Sequence, residues 1–391
     1  MKAKIVFRDN VGSGYECLVS TSPSLAAPLR FGPVESDQYG IVRFSIEGLA
    51  PNTRYYAGLH QNGSPASAPQ CSFRTLPAGK VYSFDFMLAC CANTGSTNSI
   101  FPAIVAEDPL FFIHTGDIHY RDETSTDPED HIDNYDLALN ANNQQDLYRN
   151  MPVWYMWDDH DYGPNDSDRT SPGRDAACEA FRRRVPLKDL VKSGITDEVH
   201  YKFEIGRVVF IMSDLRAERD PNNETDDENK TMMGFDQREW FKEELAKHPG
   251  KVICWMSSVP WVASSGSDTW ASFQTERDII ANAIADAGVQ DRFFVIAGDM
   301  HAVAVNDGTH SDYSDAQAGG FPVYQAAPLD RGNSTKGGPY TSGPFADNNN
   351  QVGKIEITDN GGDTITIKFT GYEFTSGALA ELTTHQFEAQ L

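Results

Sequence analysis

Four strand-like runs of this chain end in side chains that bind metals. FFIHTGDIHY, residues 111 to 120, delivers Asp117, His119 and Tyr120, and MLACCANTGS delivers Cys90 and Cys91. VWYMWDDHDYGPND carries Asp158, Asp159, His160, Asp161, Asn165 and Asp166, and FVIAGDMHA ends in Asp299 and His301. A single Gly-Asp after a strand is more often a turn or a helix cap, and a single buried Cys or His more often a core residue. Four clusters reverse that balance, because carboxylates gathered without a cation repel one another and are driven to protonate. A metal site accounts for them together. Oxygen donors mixed with a thiolate, a phenolate and an imidazole suggest two different ions: a soft or redox-type ion such as iron, and a hard ion such as calcium, magnesium or manganese. Two ions a few ångströms apart polarise a phosphoryl group and generate hydroxide for in-line attack.

Such clusters meet only if the strands that carry them lie side by side, and in an α/β sheet ligands gather at the carboxyl ends of the strands. From FDFMLACC onward, apolar β-rich runs alternate with helical segments near SIFPAIVAED, YDLALNANNQQDLYRNM, GRDAACEAFRRRV, DQREWFKEELAKH and TERDIIANAIADAG. The strands between them are LFFIHTGD, VWYMWDD, the pair VHYKFEI and RVVFIMSD, then KVICWMSS and RFFVIAGD, and KIEIT and TITIKFTGY form a hairpin about DNGGD. The stretch before this region reads differently. KAKIVF, ECLVST, GIVRFSIEGL, TRYYAGLH and CSFRTL are short strands split by SPSLAAP, ESDQYG and NGSPASAP, as in a small antiparallel sandwich. The expected organisation is therefore a β-sandwich domain over residues 1–78 and an α/β catalytic domain over 79–391.

Composition narrows the partners. Fifty-six acidic against 32 basic side chains give a formal charge of −24, which repels nucleic acid and anionic lipid. An anionic substrate would need local positive charge, such as bound metal. The six cysteines are too few and too scattered for a disulfide framework in 391 residues. No run approaches the roughly 20 apolar residues of a membrane span, and MKAKIVFRDNVGSGYE has no signal-peptide core. The expectation is a soluble chain, either cytoplasmic or secreted or periplasmic after removal of an export signal. Oligomeric state leaves no mark on the sequence.

ACCANTGS, HTGDIHY, WDDHDYGPND and GDMHA, in this order, resemble the PhoD-like alkaline phosphatase family of metallophosphoesterases over roughly residues 82 to 370. The preceding β domain fits the family's arrangement, and Leu49, Pro51, Thr53 and Tyr55 resemble the corner before a late strand of fibronectin type III domains. The resemblance implies a core like that of purple acid phosphatases, a four-layer α/β/β/α sandwich of two sheets flanked by helices. It also implies phosphate-ester hydrolysis, on phosphomonoesters, phosphodiesters or both, with ferric iron (Fe3+) and calcium (Ca2+); Mg2+, Mn2+ or Zn2+ are alternatives in the second site.

Carried onto this chain, the resemblance makes Asp117 the carboxylate bridging both metals and Tyr120, Cys91 and His301 ligands of iron. Asp159, Asn165 and Asp299 match ligands of the second metal, and His160 matches the histidine that contacts substrate phosphate or protonates the leaving oxygen. Asp158 either replaces Asp159 as ligand or orients His160. Asp161 is a ligand or the cap of the following turn. Strand alternation would let only one of Cys90 and Cys91 face the site. Arg216 and Asn93 are candidate phosphate contacts, with an ion pair to Asp214 or Asp220 as the alternative for Arg216, and the loop APLDRGNSTKGGPY brings Arg331 and Lys336 to the pocket's border. DPNNETDDENK, residues 220 to 230, lacks the spacing of an EF-hand and reads as a solvated loop. The rival reading is a binding or adhesion protein that keeps the fold with structural metals, although a site kept for stability alone has no need of His160.

Overall fold

The structure, a computed structural model, describes residues 1–62, 69–187 and 189–391. Most of the expected turn NGSPASAP therefore lies outside the described residues. The amino-terminal strands are β1 (Ala3–Arg8), β2 (Tyr15–Ser20), β3 (Leu29–Val34), β4 (Ile41–Ile46), β5 (Arg54–Gln61) and β6 (Cys71–Arg74). β1 pairs antiparallel with β4, and β3-β2-β5-β6 form a second sheet. Tyr15, Val19, Val42, Phe44 and Tyr55 fill the space between the two sheets, and the Tyr55 hydroxyl accepts a hydrogen bond from the backbone N–H of Ala50 (3.0 Å). Sequence patterning misses β3 because LRFGPV carries Gly-Pro, a pair that a strand tolerates only at a sheet edge, which is where β3 lies.

The rest is built on two larger sheets. β7 (Phe84–Ala89), α1 (Ile100–Ala106), β8 (Phe112–His114), α2 (Pro128–Leu139), α3 (Asn142–Asn150) and β9 (Val153–Tyr155) come first, followed by α4 (Asp159–Tyr162) and α5 (Arg174–Arg184). Then come β10 (Tyr201–Ile205), β11 (Val208–Met212), α6 (Phe235–Ala246), β12 (Val252–Ser257), α7 (Gln274–Asp286), β13 (Phe293–Ala297), β14 (Val303–Asn306), β15 (Val323–Gln325) and β16 (Ser342–Phe345). β17 (Gln351–Thr358), β18 (Thr364–Thr375) and β19 (Ala378–Gln390) close the chain. One sheet has the order β19-β18-β17-β7-β8-β9 and the other β10-β11-β12-β13-β15-β14-β16. β19 escapes the sequence reading because its residues alternate between half-buried and exposed with few apolar side chains, as an edge strand can.

Alternation along the buried strands sorts their side chains into layers. Phe86, Leu88, Phe111 and Ile113 face Phe210, Met212, Cys254 and Phe294 across the gap between the sheets. Phe86 stacks on Phe111 with centroids 4.9 Å apart, and Phe210 meets Phe111 edge-on at 5.8 Å. The intervening residues Met87, Ala89 and Phe112 point outward to α1 and α3. On the other flank Ile211, Trp255 and Val295 point to Phe241 and Leu245 of α6 and to Ile280 and Ile284 of α7. The architecture is thus helix, sheet, sheet, helix, as expected, after a small all-β unit. Among the described residues, no helix is long and apolar enough to cross a membrane.

β7, β8 and β9 run parallel, as do β11, β12, β13 and β15. Their carboxyl ends carry all four clusters. Residues 220–230 fold around Lys230, whose ammonium donates to the carbonyls of Asn222, Glu224 and Ser272 (3.0, 3.0 and 2.8 Å). The cation that satisfies this loop's carbonyls is the chain's own.

His200 offers a measurable consequence of burial. It is 1% exposed against Trp240, and its ring nitrogens make no hydrogen bond. Burial lowers its pKa from 6.5 to about 4, against the opposing pull of Glu198. The unfolded chain takes up a proton below pH 6.5 that the folded ring refuses, so this contribution is full above 6.5 and is lost as pH falls towards 4. Between pH 7 and pH 5 the loss is about 2 kcal/mol. His200→Phe is expected to remove that part of the pH dependence, read from urea unfolding at the two pH values; an unchanged dependence contradicts the assignment.

Candidate metal centre

Tight turns aim the donors inward. Cys91 (φ 61°), Asp117 (φ 54°), Asp122 (φ 52°), Asp166 (φ 59°) and Asp299 (φ 61°) all adopt the left-handed region. That conformation is unfavourable for a non-glycine residue, and its concentration here marks backbone held in place by its surroundings. Two glycines make the turns fit. A Cβ on Gly116 would stand 2.5 Å from the Asp158 Cβ, and one on Gly298 would stand 2.8 Å from Thr115 Oγ1 and 2.9 Å from Cys90 Sγ. The Gly in each Gly-Asp pair therefore lets neighbouring strand ends approach closely.

On one side of the site, the Asp117 carboxylate is the common acceptor. Its Oδ2 takes hydrogen bonds from the Tyr120 hydroxyl (2.7 Å) and the Cys91 thiol (3.5 Å), and its Oδ1 takes one from the backbone N–H of His160 (3.3 Å). His301 Nε2 lies 3.1 Å from the Tyr120 hydroxyl, and its Nδ1 donates to the Gly332 carbonyl, which fixes the tautomer that leaves Nε2 available. Cys91, Asp117 and His301 each offer a donor atom within 4.8 Å of the others.

Strand alternation does not separate Cys90 from Cys91. β7 ends at Ala89 and the left-handed turn at Cys91 breaks the alternation, so the two sulfurs lie 3.0 Å apart. The Cys91 sulfur is the one that reaches Asp117, while the Cys90 sulfur accepts from the backbone N–H of Asp299 (3.3 Å).

A second cluster shares Asp117. Asp117, Asp158, Asp159 and Asp299 bring one oxygen each within 4.8 Å of one another, and Asp159, Asp166 and Asp268 do the same. Asp166, rather than Asn165, closes on Asp159: its backbone N–H donates to Asp159 Oδ2 (2.7 Å), whereas Asn165 is exposed with its amide on Asp166. Asp268, in the loop after β12, was not singled out from the sequence. The available signal was a carboxylate in a Ser/Gly-rich loop after a buried strand.

Arg216 pairs with carboxylates of the chain. It is fully buried, its Nε donating to Asp158 (2.5 Å) and its Nη1 and Nη2 to Asp268 (3.0 Å each). The proposed partners differ as well. Asp214 accepts from the Arg216 backbone N–H (3.0 Å) and from Trp157 (2.7 Å), while Asp220 pairs with Arg169. Asn93 is likewise committed, its Nδ2 donating to the Asp330 carbonyl (2.6 Å) and its Oδ1 accepting from Arg331 (2.9 Å). Asp161 caps: its Oδ2 accepts from the Asp158 backbone N–H (3.1 Å) and its Oδ1 from that of Ile118 (2.8 Å). The partner that orients His160 is Asp122, at 2.5 Å from Nδ1, rather than Asp158. His119 is buried against Tyr135 with no hydrogen bond to its ring.

The electrostatics ask for cations. Arg216, Arg219 and Lys336 answer Asp158, Asp159, Asp268 and Asp299, with Lys336 2.5 Å from Asp299. Asp159, which burial alone would raise, is held below its ordinary pKa by Arg216, and Asp158 is pushed up to about 6 by burial against the same arginine. The other side has no such help. Burial, then repulsion by Asp159 and Asp158, raises Asp117 well above the ordinary range; burial and anionic neighbours do the same for Cys91 and Tyr120. Burial lowers His301 to about 4, which keeps it neutral and able to ligate. Asp158 Oδ2 and Asp159 Oδ1 are buried without a hydrogen-bond partner. A thiol, phenol, carboxyl and neutral imidazole converging beside orphaned carboxylate oxygens is a donor set that metal ions fit.

Three comparisons bear on this centre. Residues 86–324 match a family described as PhoD-like phosphatase. Purple acid phosphatase 23 of Arabidopsis thaliana is 26% identical over 280 residues, which are 66% of this chain but 56% of that protein's own length. A solved structure titled "Structure of PhoD" superposes with a TM-score of 0.76 at 17% identity, over 98% of this chain and 85% of that one, a likeness of fold.

Arg216→Met leaves buried carboxylates uncompensated, and stability is expected to fall by about 3 to 5 kcal/mol in denaturant unfolding. A phosphate contact at the surface would spare stability. Cys91→Ser is expected to lower bound metal in elemental analysis more than Cys90→Ser; the reverse order would assign the ligand to Cys90.

Proposed function

The chain belongs to the PhoD-like phosphatase family, and from that membership we propose that it is a metal-dependent hydrolase of phosphate esters. The observation that carries this reading is the sharing of Asp117 between two donor groups of different chemistry. Cys91, Asp117, Tyr120 and His301 would hold ferric iron. Asp117, Asp158, Asp159 and Asp299 would hold calcium or another hard ion, with Asp166 and Asp268 beside them. Bound there, the two ions supply Lewis acidity and a nucleophile from water at neutral pH.

The chain's own groups supply the rest. His160 stands at the edge of the site with its ring 4.1 Å from the Tyr120 ring, and Asp122 engages its Nδ1. That contact leaves Nε2 to carry a proton towards the leaving oxygen of an ester. Residues 1–78 are read as a fibronectin III-like β domain outside this chemistry.

Purified protein is expected to hydrolyse p-nitrophenyl phosphate, its bis-ester, or both, to lose that activity on chelation, and to regain it with iron and calcium. His160→Asn should lower kcat by about 10²-fold or more. Failure of metal-replete protein to cleave either ester would falsify the reading.

A further inference from the structure

We propose that Arg331 is the substrate-phosphate contact of this site, and that its charge favours doubly charged phosphomonoesters over singly charged diesters. The proposal rests on the phosphoesterase reading above. Arg216 and Arg219 are buried on Asp268, and Lys336 is held by Asp268 and Asp299. Arg331 is different: among the described residues it has no carboxylate within ion-pair distance. Its guanidinium lies 3.9 Å from the Tyr120 ring centroid, and its one hydrogen bond among the described residues runs from Nη1 to Asn93 Oδ1 (2.9 Å). Among the described residues, the remaining donors of the fork have no acceptor.

The position is built. Asp330 is fixed by the Asn93 backbone N–H (2.6 Å) and by the Ser96 hydroxyl, and Gly332, on the other side of Arg331, accepts from His301 Nδ1. The loop carrying Arg331 is therefore tied on one side to the turn after Cys91 and on the other to His301. The ring it covers belongs to Tyr120, whose hydroxyl bonds both Asp117 and His301, and His160 approaches the same ring. A guanidinium and an imidazole thus meet over the donor cluster, in a chain whose formal charge is −24.

A planar fork with free donors suits the oxygens of a phosphate. A phosphomonoester carries two charges above its second pKa of about 6, whereas a diester carries one and presents fewer free oxygens. A charge-assisted hydrogen bond is worth about 10- to 100-fold in affinity.

The test compares wild type with Arg331→Met and Arg331→Lys. Arg331→Met is expected to raise KM for p-nitrophenyl phosphate and Ki for inorganic phosphate by about 10- to 100-fold, with a several-fold smaller effect on the bis-ester. Arg331→Lys should recover part of the loss, because it restores the charge without the fork. Equal losses on both esters with an unchanged phosphate Ki, or loss of metal from Arg331→Met, would overturn the proposal. Direct titration with inorganic phosphate separates the two readings: wild-type protein that binds phosphate through Arg331 but cleaves neither ester sinks the hydrolase reading alone, and binding indifferent to Arg331 sinks this one.

Discussion

Burying the Asp117 carboxylate at the end of a strand that water does not reach would be costly on its own. The architecture around it answers that cost. Tyr120 and Cys91 donate to one oxygen and the His160 backbone to the other. Those donors come from three strand ends of one sheet, and His301, from the second sheet, completes the circle through Tyr120. The carboxylate is thus a meeting point of both sheets, and the left-handed turns at Cys91, Asp117 and Asp299 are the backbone's means of reaching it.

The site is unevenly balanced in charge. On the side of Asp158, Asp159, Asp268 and Asp299 the chain supplies its own cations, Arg216, Arg219 and Lys336. Around Asp117 it supplies acidic hydrogens from sulfur and phenol. The first arrangement holds Asp159 and Asp268 below their ordinary pKa, while burial still raises Asp158 and Asp299. The second presents groups that a cation of high charge would deprotonate. In a chain with a large excess of acid, Arg216 and Arg219 organise buried carboxylates, while Arg331 lies over the Tyr120 ring beside His160.

Much of this was legible in the sequence wherever donor and strand are contiguous. The runs ending in Cys91, Asp117, Asp158–His160 and Asp299–His301 announce both the strand and its cargo, and the alternation of helices with apolar strands announces the layers. Partnerships made by topology were not legible. Arg216 follows a strand as a pocket arginine would, yet Asp158 and Asp268, more than 50 residues away on other segments, decide that it is buried. Asp122 lies two residues past Tyr120, but its role depends on a histidine 38 residues onward. Asn165 and Asp166 are neighbours, and only the turn that places the Asp166 N–H on Asp159 shows which one closes on the cluster. β3 and β19 were hidden because edge strands carry fewer apolar residues than central ones.

The close approach at Gly298 has a mechanical meaning. There the turn after β13 of one sheet comes close to the Thr115 hydroxyl and carbonyl and the Cys90 sulfur of the other. Asp299 follows Gly298 directly, and Asp117 stands two residues after Thr115. The spacing between the two halves of the site is therefore set where a residue without a side chain meets short, buried groups, with no room for a Cβ between them. Sliding of one sheet over the other would change the distances between donors, so the close packing of the apolar core between the sheets serves as the calibration of the site.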